Sequence, residues 1–403
     1  MTALDGSRHG GIAVLADDLT SAGDGAAPFR RGGHAARILF SAPTAPLPGG
    51  PGVTAVDLGT RLLDETAAAA RTERAARACT ASRLLLKTVD STLRGHVTAE
   101  VRAAWAGSRR SAVVLAPAFP AEGRVTVSGV QYVRGVPVHE SEYARDPVHP
   151  VRCSDLAAVF PEAVRATPDR AAELPRLIDR GGLIVCSART DADLDRLVAA
   201  VPDLADVLWV GSPGLAAALA RRCARTDGDA LPVPLPALRP LVAVGSANPA
   251  TRRQLTALRA RADVQGVTVG DDPAGEARTL RSLTAPVLTL GTPDARRPAP
   301  VAQTLARSLA AHVRALVDER LVDALVVTGG ETAATVLHAL GTTGIDLTDE
   351  PETGVARGTP LERPDLPVLV KAGGFGDDDL LLRLCHLVRH PADTPLRPRG
   401  EHA

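Results

Sequence analysis

Lysine is almost missing from this chain: Lys and Arg together number 46, and only Lys87 and Lys371 are lysine. Asparagine is scarcer still, with Asn248 alone, and tyrosine is confined to Tyr132 and Tyr143. A drift from Lys to Arg is harmless where only charge matters and fails where a compact ammonium is required. The survivors fall in KTVDSTLRG, QYVRGVPVHESEYARDP, GSANPAT and KAGGFGDDD, each just after an apolar run or in a Gly/Pro-rich loop. An excess charge of one sign is lacking too, with 46 basic against 46 acidic residues. That balance excludes a field that would draw in nucleic acid or a membrane surface, and small neutral or anionic partners fit better. Cys79, Cys153, Cys186, Cys223 and Cys385 form no CxxC and no Cys/His ligand pattern, and they read as buried thiols in a reducing cytosol. No stretch approaches the roughly 18 uncharged apolar residues of a membrane span, and MTALDGSRHGG lacks the apolar centre of a signal peptide. The expectation is a soluble, cytoplasmic protein.

What is present is an alternation of short β-rich runs with Ala/Leu/Arg stretches of helical period. GIAVLADD, VTAVDLG, RLLLK, LIVCS and DVLWVG alternate with LDETAAAARTERAARA and GLAAALARRCA. This rhythm predicts an α/β fold with mainly parallel sheets and chemistry at the C-terminal ends of strands. A Pro-rich segment around residues 229–240 reads as a linker, dividing the chain into domains over 1–228 and 241–403. After it the rhythm restarts with LVAVGSANPAT, DALVVTGGETAATVLHALG and LPVLVKAGGFGDDD.

Several constellations could carry chemistry. Asp17 and Asp18 follow a strand, with Thr20, Ser21 and Asp24 behind them; two carboxylates there suit substrate hydroxyls or a cation, or else cap the next helix. Lys87, Asp90, Ser91, Thr92 and Arg94 crowd one strand-to-helix turn. Arg94 would suit a carboxylate and Lys87 phosphate oxygens, unless Lys87 and Asp90 simply pair to fix the turn. The long Pro/Gly/aromatic stretch after APAFP contains RVTVSGVQYV, which alternates like a hairpin; it predicts an ordered flap contacting substrate, or a structural excursion such as a dimer contact. Glycine turns follow three strands of the second domain, at Gly245–Ser246, Gly329–Gly330 and Gly373–Gly374, and three such turns favour a nucleotide's phosphates. No GxxxxGK[ST] occurs, and the nearest GxGxxG, at Gly23 and Gly25, ends in Pro28.

In order, ADDLTSAGD, KTVDSTLRG, PAFPAEGRVTVSGVQYV with ESEYARDPV, GSANPAT, GGETAATVLHALG and KAGGFGDDD resemble the motif series of the four-carbon acid sugar kinases, over residues 12–380. The resemblance implies a sugar-acid-binding domain followed by a nucleotide-binding domain, with the active site in the cleft between them. It implies transfer from ATP, with Mg2+, to a hydroxyl of a tetronate such as threonate, erythronate or 3-oxo-tetronate. Substrate contacts would fall on Asp17, Asp18, Thr20, Ser91, Arg94, Phe119, Arg124, Tyr143 and Arg145. Nucleotide contacts would fall on Ser246, Asn248, Gly329, Gly330, Glu331, Thr332, Lys371, Gly373 and Gly374. Arg94 would hold the substrate carboxylate, Lys87 or Lys371 would stabilise the transferring oxygens, and Asp18 or Asp90 would orient or deprotonate the hydroxyl. Metal-binding residues stay unassigned, and a homodimer stays open. The chain departs from the family at KAGGFG, where relatives read lysine-serine-glycine-asparagine-phenylalanine-glycine, and at EPETGVARG, where Thr353 and Ala356–Arg357 replace proline and the closing residues. Those departures keep a non-catalytic metabolite-binding regulator as an alternative. A dehydrogenase or aldolase acting on the same acids is disfavoured by the missing dinucleotide fingerprint.

Overall fold

The computed structural model describes residues 11–42, 45, 47, 50–146, 148–225, 236–292 and 299–391. The chain divides into two compact units, Met1–Ala230 and Leu231–Ala403.

In the first unit the apolar runs form strands β1 (Ile12–Ala16), β2 (Ala36–Leu39), β3 (Val53–Asp57), β4 (Leu84–Thr88) and β5 (Ala112–Ala116). An excursion then carries β6 (Arg124–Val127), β7 (Val130–Val133) and β8 (Val136–Pro137), before the sheet resumes with β9 (Val164–Ala166), β10 (Gly182–Cys186) and β11 (Val207–Gly211). The main sheet runs β2-β3-β1-β4-β11-β5-β10-β9, and its neighbouring strands are parallel. Every residue of β1, β4, β5 and β11 is buried, as expected for strands covered on both faces by helices. From β1 the helix Leu19–Arg31 leads away beyond β3 to β2, whereas from β4 the helix Val97–Ser108 leads beyond β11 to β5. The connections therefore diverge between β1 and β4, and the crevice at the C-terminal ends of such strands is where open α/β sheets bind ligands. The two acidic motifs of this unit follow those two strands.

The second unit contains β12 (Pro240–Val244), β13 (Val264–Thr268), β14 (Val287–Gly291), β15 (Ala324–Thr328), β16 (Gly344–Glu352), β17 (Val355–Pro360) and β18 (Val368–Lys371). Its order is β13-β14-β12-β15-β18-β17-β16, parallel as far as β18 and antiparallel beyond. The helix after β12, Pro249–Arg259, leads past β14 to β13, and the helix after β15, Gly330–Ala339, leads the other way. A second divergence point thus lies between β12 and β15, again at the motif loops.

Most of the Pro-rich segment, residues 226–235, lies outside the described residues. Its end is not a free linker: the Ala237 amide donates to Val388 O at 2.8 Å, Ala237 joins the second unit's core, and Pro240 opens β12. Among the described residues no helix is long and apolar enough to cross a membrane, and the five cysteines are free thiols.

Candidate functional site

At the first divergence point Asp18 caps the helix Leu19–Arg31, its Oδ1 accepting from Ser21 N at 2.7 Å and from the Thr20 hydroxyl at 2.9 Å. The capping and functional readings of this loop are not exclusive, because the other carboxylate oxygen pairs with Arg61. Arg61 also meets Asp17 Oδ2, through Nε at 2.9 Å and Nη2 at 2.8 Å, and its Nη2 stands 3.9 Å from Asp90 Oδ2. One guanidinium therefore gathers three carboxylates. Burial alone would raise Asp17, but Arg61 and Lys87 outweigh it and hold the carboxyl below its ordinary value. The Arg61 loop is itself fixed: His149 Nε2 lies 2.6 Å from Arg61 O, His96 Nε2 lies 2.7 Å from Leu63 O, and the two imidazoles pack edge to face at 4.9 Å.

After β4 the turn closes on Asp90. Its Oδ1 accepts from Thr92 N at 2.8 Å and from the Thr92 hydroxyl, and its Oδ2 accepts from Arg94 Nη2 at 2.6 Å. Burial opposes this ionisation, yet Arg94 and Arg61 hold Asp90 far below the usual carboxylate range. Leu93 adopts φ 62°, a left-handed conformation unusual for a branched side chain, and Gly95 follows at φ 89°. Arg94 stacks 5.2 Å above the Tyr143 ring and lies 3.6 Å from Asp146. The ion pair weighed between Lys87 and Asp90 is not formed. Lys87 points instead into the protein, with Nζ 2.6 Å from Glu100 Oε2 on the helix Val97–Ser108 and 2.8 Å from Thr88 O. It is fully buried, so its charge reaches the crevice through Asp17 and not by exposure.

The excursion is the ordered hairpin expected from its alternation. Ser128 (φ 50°) with Gly129 (φ 82°), and Arg134 (φ 48°) with Gly135 (φ 83°), are left-handed pairs that suit two-residue hairpin turns. Buried Gln131 anchors the hairpin, donating to Ser91 O at 2.8 Å and Pro117 O at 3.3 Å while accepting from the Thr126 hydroxyl at 2.6 Å. Arg124 Nη1 donates to the Ser91 hydroxyl at 2.7 Å, and Phe119 bridges to Arg124 through its backbone. Arg145 is exposed; its neighbour Asp146 is the residue that reaches Arg94.

In the second unit the three glycine turns converge. A Cβ on Gly245 would fall 2.2 Å from Thr332 Oγ1, and one on Gly373 would fall 2.6 Å from Ser246 Oγ, so these backbones approach as only glycine allows. Gly329 (φ 89°) starts the helix Gly330–Ala339 and donates its N–H to Lys371 O at 2.8 Å. Asn248 caps the helix Pro249–Arg259 through Ala250 N at 2.9 Å, and Glu331 stands exposed beside Gly330. Lys371 is buried beneath these turns, with Nζ 3.2 Å from Thr251 Oγ1 and 3.0 Å from Ala372 O. No carboxylate among the described residues pairs with it, and burial lowers its pKa to about 8. Two helix N-termini, glycine amides and a lysine with no counter-ion among the described residues bring positive potential together at these turns. Among the described residues no group of three or more His, Cys, Asp or Glu side chains could hold a metal ion.

Comparison with known families agrees unit by unit. Residues 12–219 match the sugar-binding N-terminal domain, and residues 241–381 match the nucleotide-binding C-terminal domain. The chain belongs to the four-carbon acid sugar kinase family. It is 36% identical to a D-threonate kinase of Bordetella bronchiseptica, over 94% of this chain and 97% of that one. It is 32% identical to a 3-oxo-tetronate kinase of Methylobacterium radiotolerans, over 92% and 98% respectively. A solved Salmonella typhimurium LT2 chain shares the fold at a TM-score of 0.80 and 23% identity, over 93% of this chain and 98% of that one.

Against that family pattern, one departure has a local partner. Arg357 is buried and donates through Nε to Asp349 Oδ1 at 2.7 Å across the β16–β17 hairpin, so the substituted segment stays ordered through an ion pair.

Two acid-site residues escaped sequence reasoning, Arg61 and Asp57. Both follow from β3 lying beside β1, which brings Asp57 into register with Ala16 and delivers Arg61 to Asp17. A strand-end signal, DLGTR after VTAV, was available; the strand order that makes it matter was not. Burial, with Asp18 and then Asp17 adding to it, raises Asp57 to about 7, although the Gly59 amide at 2.8 Å opposes the shift. A carboxyl raised on folding contributes stability that is present at low pH and lost as pH climbs from about 4 toward 7. Asp57→Asn keeps the acceptor for Gly59 and removes that titration. The variant should therefore gain on the parent protein as pH rises from 4.5 to 7.5, measured as urea midpoints; a pH-independent difference would count against the assignment.

Proposed function

We propose that the chain transfers the γ-phosphoryl group of MgATP to a hydroxyl of a four-carbon sugar acid, the substrate class of its threonate, erythronate and 3-oxo-tetronate kinase relatives. The observation that carries the reading is the convergence of three glycine turns over Lys371, a buried cation with no carboxylate partner among the described residues. Phosphate oxygens would supply the missing negative charge, and transfer of this kind needs alignment and charge neutralisation more than covalent chemistry. Mg2+ takes one or two carboxylates together with substrate phosphates, and Glu331 beside Gly330 fits that use. The ion would neutralise charge on the phosphates.

In the first unit Arg94, and Arg61 with it, would hold the substrate carboxylate. Asp17 and Asp18 would accept hydrogen bonds from the substrate hydroxyls. Asp18 or Asp90 would orient the attacking hydroxyl; both oxygens of each are already engaged, at Asp18 by Ser21, Thr20 and Arg61 and at Asp90 by Thr92 and Arg94, so the substrate hydroxyl would share an acceptor at either. Lys87 would act by fixing Glu100 and lowering Asp17 rather than by touching phosphate. Tyr143 and Arg124 would shape the wall through Arg94 and Ser91. Five free thiols support a reducing, cytoplasmic setting.

A coupled ADP-release assay across D-threonate, D-erythronate and 3-oxo-tetronate should give turnover that requires both ATP and one of the acids. Absence of turnover with every member of the class would overturn the proposal. Thermal stabilisation by sugar acid without any ADP release would instead identify a binding protein that has lost catalysis.

A further inference from the structure

We propose that Gln254 and Thr251, on the helix Pro249–Arg259, are positioning residues that present the backbone amides of Gly373 and Gly374 to the nucleotide phosphates. This inference rests on the nucleotide reading of the second unit. The Gln254 side chain is buried, and its amide nitrogen donates to three successive carbonyls, Phe375 O at 3.0 Å, Gly376 O at 3.2 Å and Asp377 O at 2.8 Å. Thr251, also buried, donates its hydroxyl to Gly373 O at 2.6 Å and accepts from Lys371 Nζ at 3.2 Å.

Four carbonyls of one loop are thus drawn onto a single helix face. A peptide plane whose carbonyl is fixed on one side carries the next residue's amide on the other: Thr251 on Gly373 O directs the Gly374 N–H, Lys371 Nζ on Ala372 O directs the Gly373 N–H, and Gln254 pins the three carbonyls that follow and so anchors the far side of the loop. Among the described residues no acceptor takes the N–H of Gly373 or Gly374, so both donors remain available, and successive amides of this kind form anion-binding concavities. Ala372 and Gly374 carry no side-chain donors, so the helix-held backbone is what this stretch of the loop offers an anion. Lys371 is tied to the same device, because its ammonium and Gly373 O share the Thr251 hydroxyl.

The test uses the full chain with MgADP and MgATP as probes. Gln254→Met keeps length and removes the donor; Thr251→Val keeps shape and removes the hydroxyl. Each should raise the calorimetric Kd for MgADP and the KM for ATP about tenfold, the scale of one or two lost hydrogen bonds. The KM for the sugar acid should stay within about twofold of the parent value, because the loop belongs to the second unit. Adding A372S and G374N to Gln254→Met should recover nucleotide affinity by supplying side-chain donors, and if Gln254→Met does not fold, Thr251→Val carries the same measurement. Parent protein that binds MgADP while both variants bind it equally well would overturn this inference alone. Equal losses in both KM values with a lowered melting temperature would reduce the two residues to scaffold and also overturn it. Parent protein that binds no MgADP would overturn the nucleotide reading itself and this inference with it.

Discussion

Arg61→Met is expected to cost about 3 kcal/mol of stability at neutral pH, the lower end of the scale for removing one partner of a buried ion pair, because the arginine side chain is 23% exposed. The guanidinium meets Asp17 and Asp18 directly and lies within 3.9 Å of Asp90, so its loss leaves like charges facing one another with little water to separate them. In the parent protein Asp17 is held low, so its contribution is present above the ordinary carboxylate range and fades as pH falls. In the variant only Lys87 still opposes the burial of Asp17, and the balance moves toward the protonated form. The deficit should therefore be largest above about pH 6 and shrink toward pH 4, where the carboxylates take up protons. Unfolding in urea at both pH values measures this, and a deficit independent of pH would show that Arg61 serves packing alone. For the sugar acid, kcat/KM should fall on the order of 100-fold or more, from the loss of charged hydrogen bonds to substrate and of alignment at Asp18. Arg61→Lys should recover only part of either loss, because one ammonium cannot span two aspartates as a fork does.

The second large effect is expected at Lys87. Lys87→Met leaves Glu100 enclosed without a cation, at a cost of about 3–5 kcal/mol. Lys87→Met combined with Glu100→Leu should regain most of that stability, because exchanging a buried pair for apolar residues is often neutral. Catalysis should not return with it. Lys87 is among the charges that hold Asp17 ionised, so the stable double variant should remain about tenfold slower in kcat/KM for the sugar acid. Full activity in the double variant would make the pair purely structural. Lys87→Arg should fail on both counts, since a fully enclosed site shaped for an ammonium has no room for a planar fork.

Both retained lysines prove to be wholly buried, in enclosed positions that suit a compact ammonium. Much else was legible for similar reasons. Continuous apolar runs announced strands covered on both faces, and polar motifs directly after them marked strand ends. The hairpin was readable from RVTVSGVQYV because side-chain period and left-handed turns both leave a local trace. Partners supplied by tertiary packing were not readable. Glu100 lies on the next helix as an ordinary acidic position, and nothing local says that it turns inward to Lys87 rather than outward to solvent. Arg61 and Asp57 depend on β3 sitting beside β1, which periodicity does not encode. Gln254 lies in an arginine-rich helix, ATRRQLTALRA, where only the fold reveals that its amide faces three carbonyls of a loop more than 120 residues away.

The hairpin's attachment also bears on how this protein could change. Gln131 clasps the carbonyl of Ser91 and Arg124 its hydroxyl, so the turn after β4 is braced by two side chains of the hairpin, while the two tips at Ser128–Gly129 and Arg134–Gly135 lie outside the main sheet. Folding of the scaffold and tailoring of the wall are thereby assigned to different residues. A lineage can alter the outer ribbon by small steps, provided that the clasps on Ser91 are kept.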